Sequence, residues 1–203
     1  MIPADNYPSS ALRDAIEAIS SLPGVGSRSA LRLALHLLKQ PPEKIHRFAS
    51  AVDNLAEGVH YCKTCMMVAD GDKCDICADP RRDHDTICVV ESVRDVMSIE
   101  ATGQYHGVYH VLGGIISPIN GVGPSDLTIR ELVERVGPGT EVVLALSGDV
   151  EGETTAFYIY RQIEASGCKV TTLARGLGFG DELEYADTLT LGRSIVNRQI
   201  FKP

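Results

Sequence analysis

The stretch Cys62-Lys63-Thr64-Cys65-Met66-Met67-Val68-Ala69-Asp70-Gly71-Asp72-Lys73-Cys74-Asp75-Ile76-Cys77 sets two C-x-x-C knuckles inside 16 residues. Each knuckle brings two thiolates within reach of one tetrahedral ion, and the eight residues between them are enough to turn the chain back and close a four-sulfur shell. The spacing predicts a structural zinc site in a tight miniature ribbon, held by Cys62, Cys65, Cys74 and Cys77. Two other readings compete. An iron–sulfur centre usually carries different spacings, and a redox dithiol uses a single C-x-x-C that opens a helix after a strand. With all four sulfurs spent on coordination, no position is left for a substrate water, so one zinc per chain is expected to fold the segment and catalyse nothing. Disulfides are not expected: no signal-peptide pattern sends the chain outward, and knuckle cysteines separated by two residues make poor bridges. Cys88 in an apolar run and Cys168 beside a glycine turn read as ordinary thiols.

Around this centre, 203 residues give room for one full-sized domain and one or two small modules. No apolar stretch approaches the length of a membrane span, so a soluble, cytoplasmic protein without a membrane partner is expected. The net charge of −8 argues at first against nucleic acid, but it is spread unevenly. Residues 1–50 carry Arg13, Arg28, Arg32, Lys39, Lys44 and Arg47 against Asp5, Asp14, Glu17 and Glu43, a local balance of +2; residues 51–83 stand at −3 and residues 84–203 at −7. The positive surface is concentrated at the amino end.

Upstream of the knuckles, Leu12, Ala15, Ile16 and Ile19 recur at helical spacing, and Ala30, Leu31, Ala34, Leu35 and Leu38 repeat as a second stripe until Pro41-Pro42 stops it. Between the stripes lies Leu22-Pro23-Gly24-Val25-Gly26-Ser27. Glycines flanking one small apolar residue allow a tight turn, and Ser27 is expected to cap the second helix, whose first amides can then face a phosphate. The string LPGVGSRSALRLALHLL resembles the helix-hairpin-helix signature, a form that implies a grip on the DNA backbone without sequence reading. Arg28, Arg32 and His36 fall at i, i+4 and i+8 beside the hairpin. Arg28 and Arg32, with Gly24 and Gly26, are therefore candidate DNA contacts; an ordinary solvated helix face is the plainer alternative for the arginines. A third helix from Glu43 to about Gly58, with Ile45, Phe48, Val52, Leu55 and Val59 at spacings of three and four, is expected to cover the hairpin pair.

Downstream, Asp79-Pro80-Arg81-Arg82-Asp83 reads as a polar linker, after which the apolar period changes. Short β-branched runs at Thr86 to Glu91, Val108 to Leu112, Glu141 to Leu146 and Lys169 to Leu173 predict buried strands of a mainly parallel sheet. Helical patterns at Val93 to Ala101, Thr128 to Val136 and Thr154 to Ala165 alternate with them, which predicts an α/β domain with functional residues at the strand carboxyl ends. Thr128 with Glu131 predicts a capping box, and Leu127 with Leu132 a hydrophobic staple.

Two of these strands end in acids: Glu91 closes the first, and Ser147-Gly148-Asp149-Val150-Glu151-Gly152-Glu153 follows the third. This arrangement resembles the Toprim domain of topoisomerases, primases and repair nucleases, in which a strand-end Glu and a D-x-D pair hold magnesium. Aligning E-G-E on Glu151-Gly152-Glu153 puts Ser147 at the first aspartate and Asp149 at the second, so one ligand is missing and the magnesium site is weakened. Asp149 adds a carboxylate, which keeps magnesium binding open, and a capping role for Glu91 or Asp149 is the plainer alternative.

The order of parts resembles the bacterial recombination mediator family RecR over nearly the whole chain: the hairpin string, the C-x2-C-x8-C-x2-C window, ICVVESVRDVMSIEATGQYHGVYHVLGGIISPINGVGP, DVEGETTAFYI and LARGLGFGDELEYADTLTLGRSI. The resemblance implies a multi-module α+β chain: a helix-hairpin-helix module at 1–57, a four-cysteine zinc finger at 58–80, a Toprim domain at 84–175 and a C-terminal segment at 176–203. It implies a non-enzymatic mediator that forms a ring-shaped homotetramer on duplex and gapped DNA. With RecO and RecF, such a protein helps load RecA onto single-stranded DNA. Glu91, Asp149, Glu151 and Glu153 would then face a basic partner, RecO by analogy. An active metal-dependent Toprim nuclease or primase, and a zinc-stabilised interaction module without a DNA role, are the competing classes.

Overall fold

The computed structural model describes residues 7–174, 176–177 and 182–198, and the chain divides into two compact units, 1–59 and 60–203. Within the first unit, α1 (Ser10–Ser20) and α2 (Ser27–Leu38) form an antiparallel hairpin followed by α3 (Pro42–Gly58). Ile16 of α1 packs on Ala30 and Ala34 of α2, all three buried, with Tyr7, Leu12, Ile19, Val25 and Leu31 along the seam. Alanine at the contact lets the two backbones approach closely. Gly24 turns the chain at φ +79°, a conformation that L side chains rarely adopt.

Two expectations for this unit are overturned. Ser27 is the first helical residue and not the cap; Gly26 occupies the cap position in extended conformation, and the Ala30 N–H reaches its carbonyl at 2.9 Å. Secondly, α3 buries no residue: Phe48 is 57% and Leu55 64% exposed, and Val52, Leu35 and Leu38 are exposed with them. The α1–α2 seam closes on two alanines and one isoleucine, and the leucines that α2 leaves outside it, Leu33, Leu35 and Leu38, stay exposed, so α3 does not cover them.

In the second unit, β1 (His60–Tyr61) pairs antiparallel with β2 (Val68–Ala69), and α4 (Asp75–Ala78) completes the cysteine segment. The sheet follows: β3 (Asp83–Val90), α5 (Val93–Glu100), β4 (Gly107–Val111), α6 (Ile129–Val133), β5 (Glu141–Leu144), α7 (Val150–Ile163), β6 (Lys169–Thr172) and finally α8 (Thr188–Val196). The strand order is β4-β3-β5-β6 and every pairing is parallel. Alternation along β3 separates the faces. Ile87 and Val89 join Val142, Leu144, Leu132, Ile159 and Ile163 under α6 and α7. Cys88 and Val90 join Tyr109, Val111 and Val96 of α5, and onto this second face Met66, Met67 and Ile76 of the cysteine segment are packed. Burial on both faces is why the carboxyl half of β3 and all of β4 read as continuous apolar runs, whereas β6, expected to be buried, lies at the sheet's edge, buries no residue and leaves Leu173 51% exposed after it.

Local signals placed the helices with two corrections. Helix α7 starts at Val150, before the expected Thr154, because the Asp149 carboxylate accepts the Gly152 N–H at 2.7 Å and caps it. The capping box expected at Thr128 does not form: its hydroxyl donates instead to the Val111 carbonyl at 2.7 Å. The reciprocal arrangement stands at α5, where the Asp95 carboxylate accepts both the N–H and the O–H of Ser92, at 2.8 and 2.9 Å. Residue 175, and residues 178–181 and 199–203 of the expected C-terminal segment, lie outside the described residues. Among the described residues no helix is long and apolar enough to cross a membrane.

Candidate functional site

The knuckles converge. Cys62, Cys65, Cys74 and Cys77 are all buried and their sulfurs lie within 4.8 Å of one another, with Cys65 and Cys74 3.5 Å apart. Zinc–sulfur bonds of about 2.3 Å in a tetrahedron require sulfurs about 3.8 Å apart, so the donor set fits the ion. Local backbone chemistry builds the shell: Cys62 and Met67 pair through N–H to carbonyl at 2.7 Å, Met66 turns at φ +62°, and the Cys77 N–H points at the Cys74 sulfur at 3.5 Å. A hydrogen bond with Cys77, and then burial, push the Cys65 thiol far above its usual value, and burial pushes Cys74 up to about 11. At Cys62 burial also acts upward, but the backbone N–H groups of Cys74, Cys65 and Thr64 outweigh it and hold the thiol down at about 6. Four sulfurs this close resist ionising together unless a cation joins them, and a bound divalent ion removes that resistance. The segment is tied to the sheet as well, since the Val111 N–H at the end of β4 donates to the Cys65 carbonyl at 2.8 Å.

Arg28, Arg32 and His36 of α2 and Lys39 at its C-terminal cap line one shallow surface together with Leu31 and Leu35. The arginines are exposed, and no ion pair to an acid engages either among the described residues. Gly24 and Gly26 have open space where a Cβ would stand.

Of the four acids at the sheet's carboxyl edge, Glu91 and Asp149 meet at Ser147, while Glu151 and Glu153 are held elsewhere. Glu91 Oε1 accepts the Ser147 N–H at 2.5 Å; Asp149 caps α7 and accepts the Ser147 hydroxyl at 3.0 Å; Glu151 Oε1 accepts the Ser117 hydroxyl at 2.6 Å; Glu153 lies 3.5 Å from Arg193. Among the described residues the four cysteines are the one group of three or more ligand residues gathered closely enough to hold a metal, and no three of the acids come that close. Amide and hydroxyl donors hold the Asp149 carboxyl below its ordinary range. Gly152 is required here, because a Cβ on it would collide with both the hydroxyl and the carbonyl oxygen of Ser147.

Two networks had no signal in the sequence pattern. His110, fully buried in β4, lies 2.7 Å from the Thr128 carbonyl through Nε2 and 3.1 Å from Arg135 Nη1 through Nδ1, so Nε2 carries the proton and Nδ1 accepts. Burial, with Arg135 beside it, lowers its pKa to about 4. Arg82, expected in a polar linker, pairs through both arms with Glu100, which also accepts from the Tyr109 hydroxyl at 2.6 Å. His110 and Arg135 lie 25 positions apart, Arg82 and Glu100 18, and Tyr109 and Glu100 nine, all beyond the reach of local periodicity.

Family comparisons agree with this order of parts. The RecR helix-hairpin-helix description matches residues 12–56, the RecR four-cysteine zinc finger domain 59–79, the Toprim domain 85–174 and the RecR C-terminal description 176–199. The chain is 55% identical over 197 residues to the recombination protein RecR of Bacteroides thetaiotaomicron, covering 96% of each chain. It is equally similar to that of Bacteroides fragilis, and 54% identical over 198 residues to that of Flavobacterium johnsoniae, with 97% of this chain and 96% of the relative covered. With these matches along its length and more than half of its residues identical to those of curated relatives covered almost whole, the chain belongs to the RecR family of recombination proteins.

Proposed function

We propose that this protein is a non-enzymatic DNA-repair mediator of the cytoplasm that binds duplex and gapped DNA as a homotetrameric ring. In this reading it works with RecO and RecF to help load RecA onto single-stranded DNA. One structural zinc per chain folds the cysteine segment. The observation that carries the DNA part is the exposed strip of Arg28, Arg32, His36 and Lys39 beside the Gly24-Val25-Gly26 hairpin. This strip lies in the first 50 residues, whose charge balance is +2, against −3 over residues 51–83 and −7 over residues 84–203. Phosphates approaching the hairpin meet open backbone at Gly24 and Gly26 and cations one and two turns along α2. A few cations bind DNA weakly in one copy, and several copies around one duplex multiply their contacts. The exposed apolar stripe of α3 supports the oligomer, since an unpaired face of that kind gains from covering by another copy. The acids of the sheet edge repel phosphate and suit a basic protein such as RecO.

The test is a double variant, Arg28→Ala with Arg32→Ala. Each lost phosphate contact lowers the slope of log affinity against log salt by about 0.9 per binding subunit. The double variant should bind duplex more weakly, with the deficit shrinking as salt rises and the fold intact. Unchanged affinity and slope in a folded, normally assembled variant would place the DNA site elsewhere.

A further inference from the structure

The most exposed large apolar side chain of those described is Ile119, at 92%. It stands at the tip of a short hairpin, Ser117 to Val122, closed by hydrogen bonds from the Ser117 N–H to the Val122 carbonyl at 3.0 Å and back at 2.9 Å. Gly121 supplies the turn at φ +72°, and Asn120 Nδ2 donates to the Ser117 hydroxyl oxygen at 2.8 Å. The base of the hairpin is fixed to α7 twice. The Ile116 N–H donates to the fully buried Thr155 hydroxyl at 2.9 Å, and the Ser117 hydroxyl donates to Glu151 at 2.6 Å. Val150, one residue before Glu151, is itself 81% exposed. A segment this well tied at its base has polar residues enough to be solvated, yet it holds an isoleucine in water where folding gains nothing from it. The backbone that carries this side chain is already fixed, so its burial by a partner gains the apolar transfer energy with little further loss of backbone freedom.

Its surroundings say what kind of partner fits. Glu151 holds the hairpin; Asp149, Glu153 and Glu91 lie on the same carboxyl edge of the sheet or the first turn of α7. Apolar knobs set among carboxylates repel a phosphate backbone and complement a basic protein surface that carries an apolar pocket. We propose that Ile119, seconded by Val150, is the apolar anchor by which this face docks a basic partner protein, and that Glu151 acts as a positioning residue that holds the Ile119 hairpin. This deepens the partner role proposed above for the acidic face and rests on it.

The experiment measures binding of purified RecO from the same bacterium to the full-length protein, with native mass and thermal stability checked for every variant. Ile119→Ala should weaken binding at least tenfold, Ile119→Asp more, and Val150→Ala by a few fold, all with unchanged fold and mass. The salt dependence should be unaltered in Ile119→Ala and reduced in Glu153→Gln, because the first removes an apolar contact and the second a charge. Met97→Ala, exposed on α5, serves as the control and should change nothing. Unchanged affinity in Ile119→Ala overturns the anchor, and if Glu153→Gln still weakens binding the acidic-face reading survives it. Failure of the wild-type protein to bind RecO overturns both. A drop in native mass in Ile119→Ala would show that the tip docks a second copy, and a loss of DNA affinity that it meets nucleic acid; either result also overturns the anchor.

Discussion

Single side chains carry more of this molecule than their residue types announce. His110 is buried as a neutral imidazole between the Thr128 carbonyl and the Arg135 guanidinium, with its pKa lowered to about 4 from an ordinary 6.5. The unfolded chain takes up this proton near 6.5, so between those values the unfolded state binds more protons and stability falls as pH drops. Above about pH 6.5 the contribution is complete; below about pH 4 the loss levels off, on the order of 3 kcal/mol at full extent. Replacing His110 with Asn should flatten the dependence of unfolding free energy on pH across this window, measured by denaturant titration. Acid release of metal acts on both proteins, so the difference between their curves isolates the imidazole. Asp149 teaches the same lesson at the sheet edge: a residue in the register of a metal ligand is engaged as a helix cap.

At the scale of elements, the cysteine segment is both a metal centre and part of the sheet's covering. Its Met66, Met67 and Ile76 pack against Cys88, Val90 and Val111, and its Cys65 carbonyl holds the last amide of β4. Replacing Cys62 or Cys74 with Ala leaves an incomplete shell, expected to cost several kcal/mol and to unfold residues 58–80 in part. Hydrogen exchange should quicken at the Val111 amide as well as within the knuckles, and metal analysis of the wild-type protein should give one zinc per chain. Iron with sulfide, or a well-folded protein without metal, would overturn this. The basic strip of α2 is a second such element, and its salt-slope test stands or falls independently of the zinc.

For the whole molecule, assembly and chemistry are the matters at stake. If α3 is covered by another copy, Phe48→Asp with Leu55→Asp should lower the native mass while leaving zinc content and the sheet unit's stability unchanged, because α3 buries nothing within its own chain. With Ser147 in the place of one acid, Glu91 engaged by the Ser147 amide and Asp149 spent as the α7 cap, the protein should neither nick, join nor extend DNA in magnesium or manganese. Turnover that disappears in Glu91→Gln would establish the active Toprim enzyme instead.

How far the chain could be read without its fold follows from the range of the forces involved. The knuckle spacing, the P-G-V-G turn and the apolar runs of the four strands are local patterns, so zinc ligands, hairpin and parallel sheet were legible from residues 62–77, 22–38 and 86–173. The start of α5 at Val93 was legible from its apolar pattern, whereas Thr128 found a strand-end carbonyl and Asp149 began its helix early. The bareness of α3 could not be read, because an apolar stripe has the same period whether its cover lies in the same chain or another. Nor could the pairing of His110 with Arg135, of Arg82 with Glu100, or of Ser117 with Glu151, which joins residues 34 positions apart. By itself the sequence determined which elements form and which atoms can bind metal or phosphate, since neighbours along the chain dictate both. Only the tertiary structure decided which carboxylates cap, which cations are spent within the fold and which apolar residues stay in water, because those outcomes depend on groups that meet only after the chain has closed.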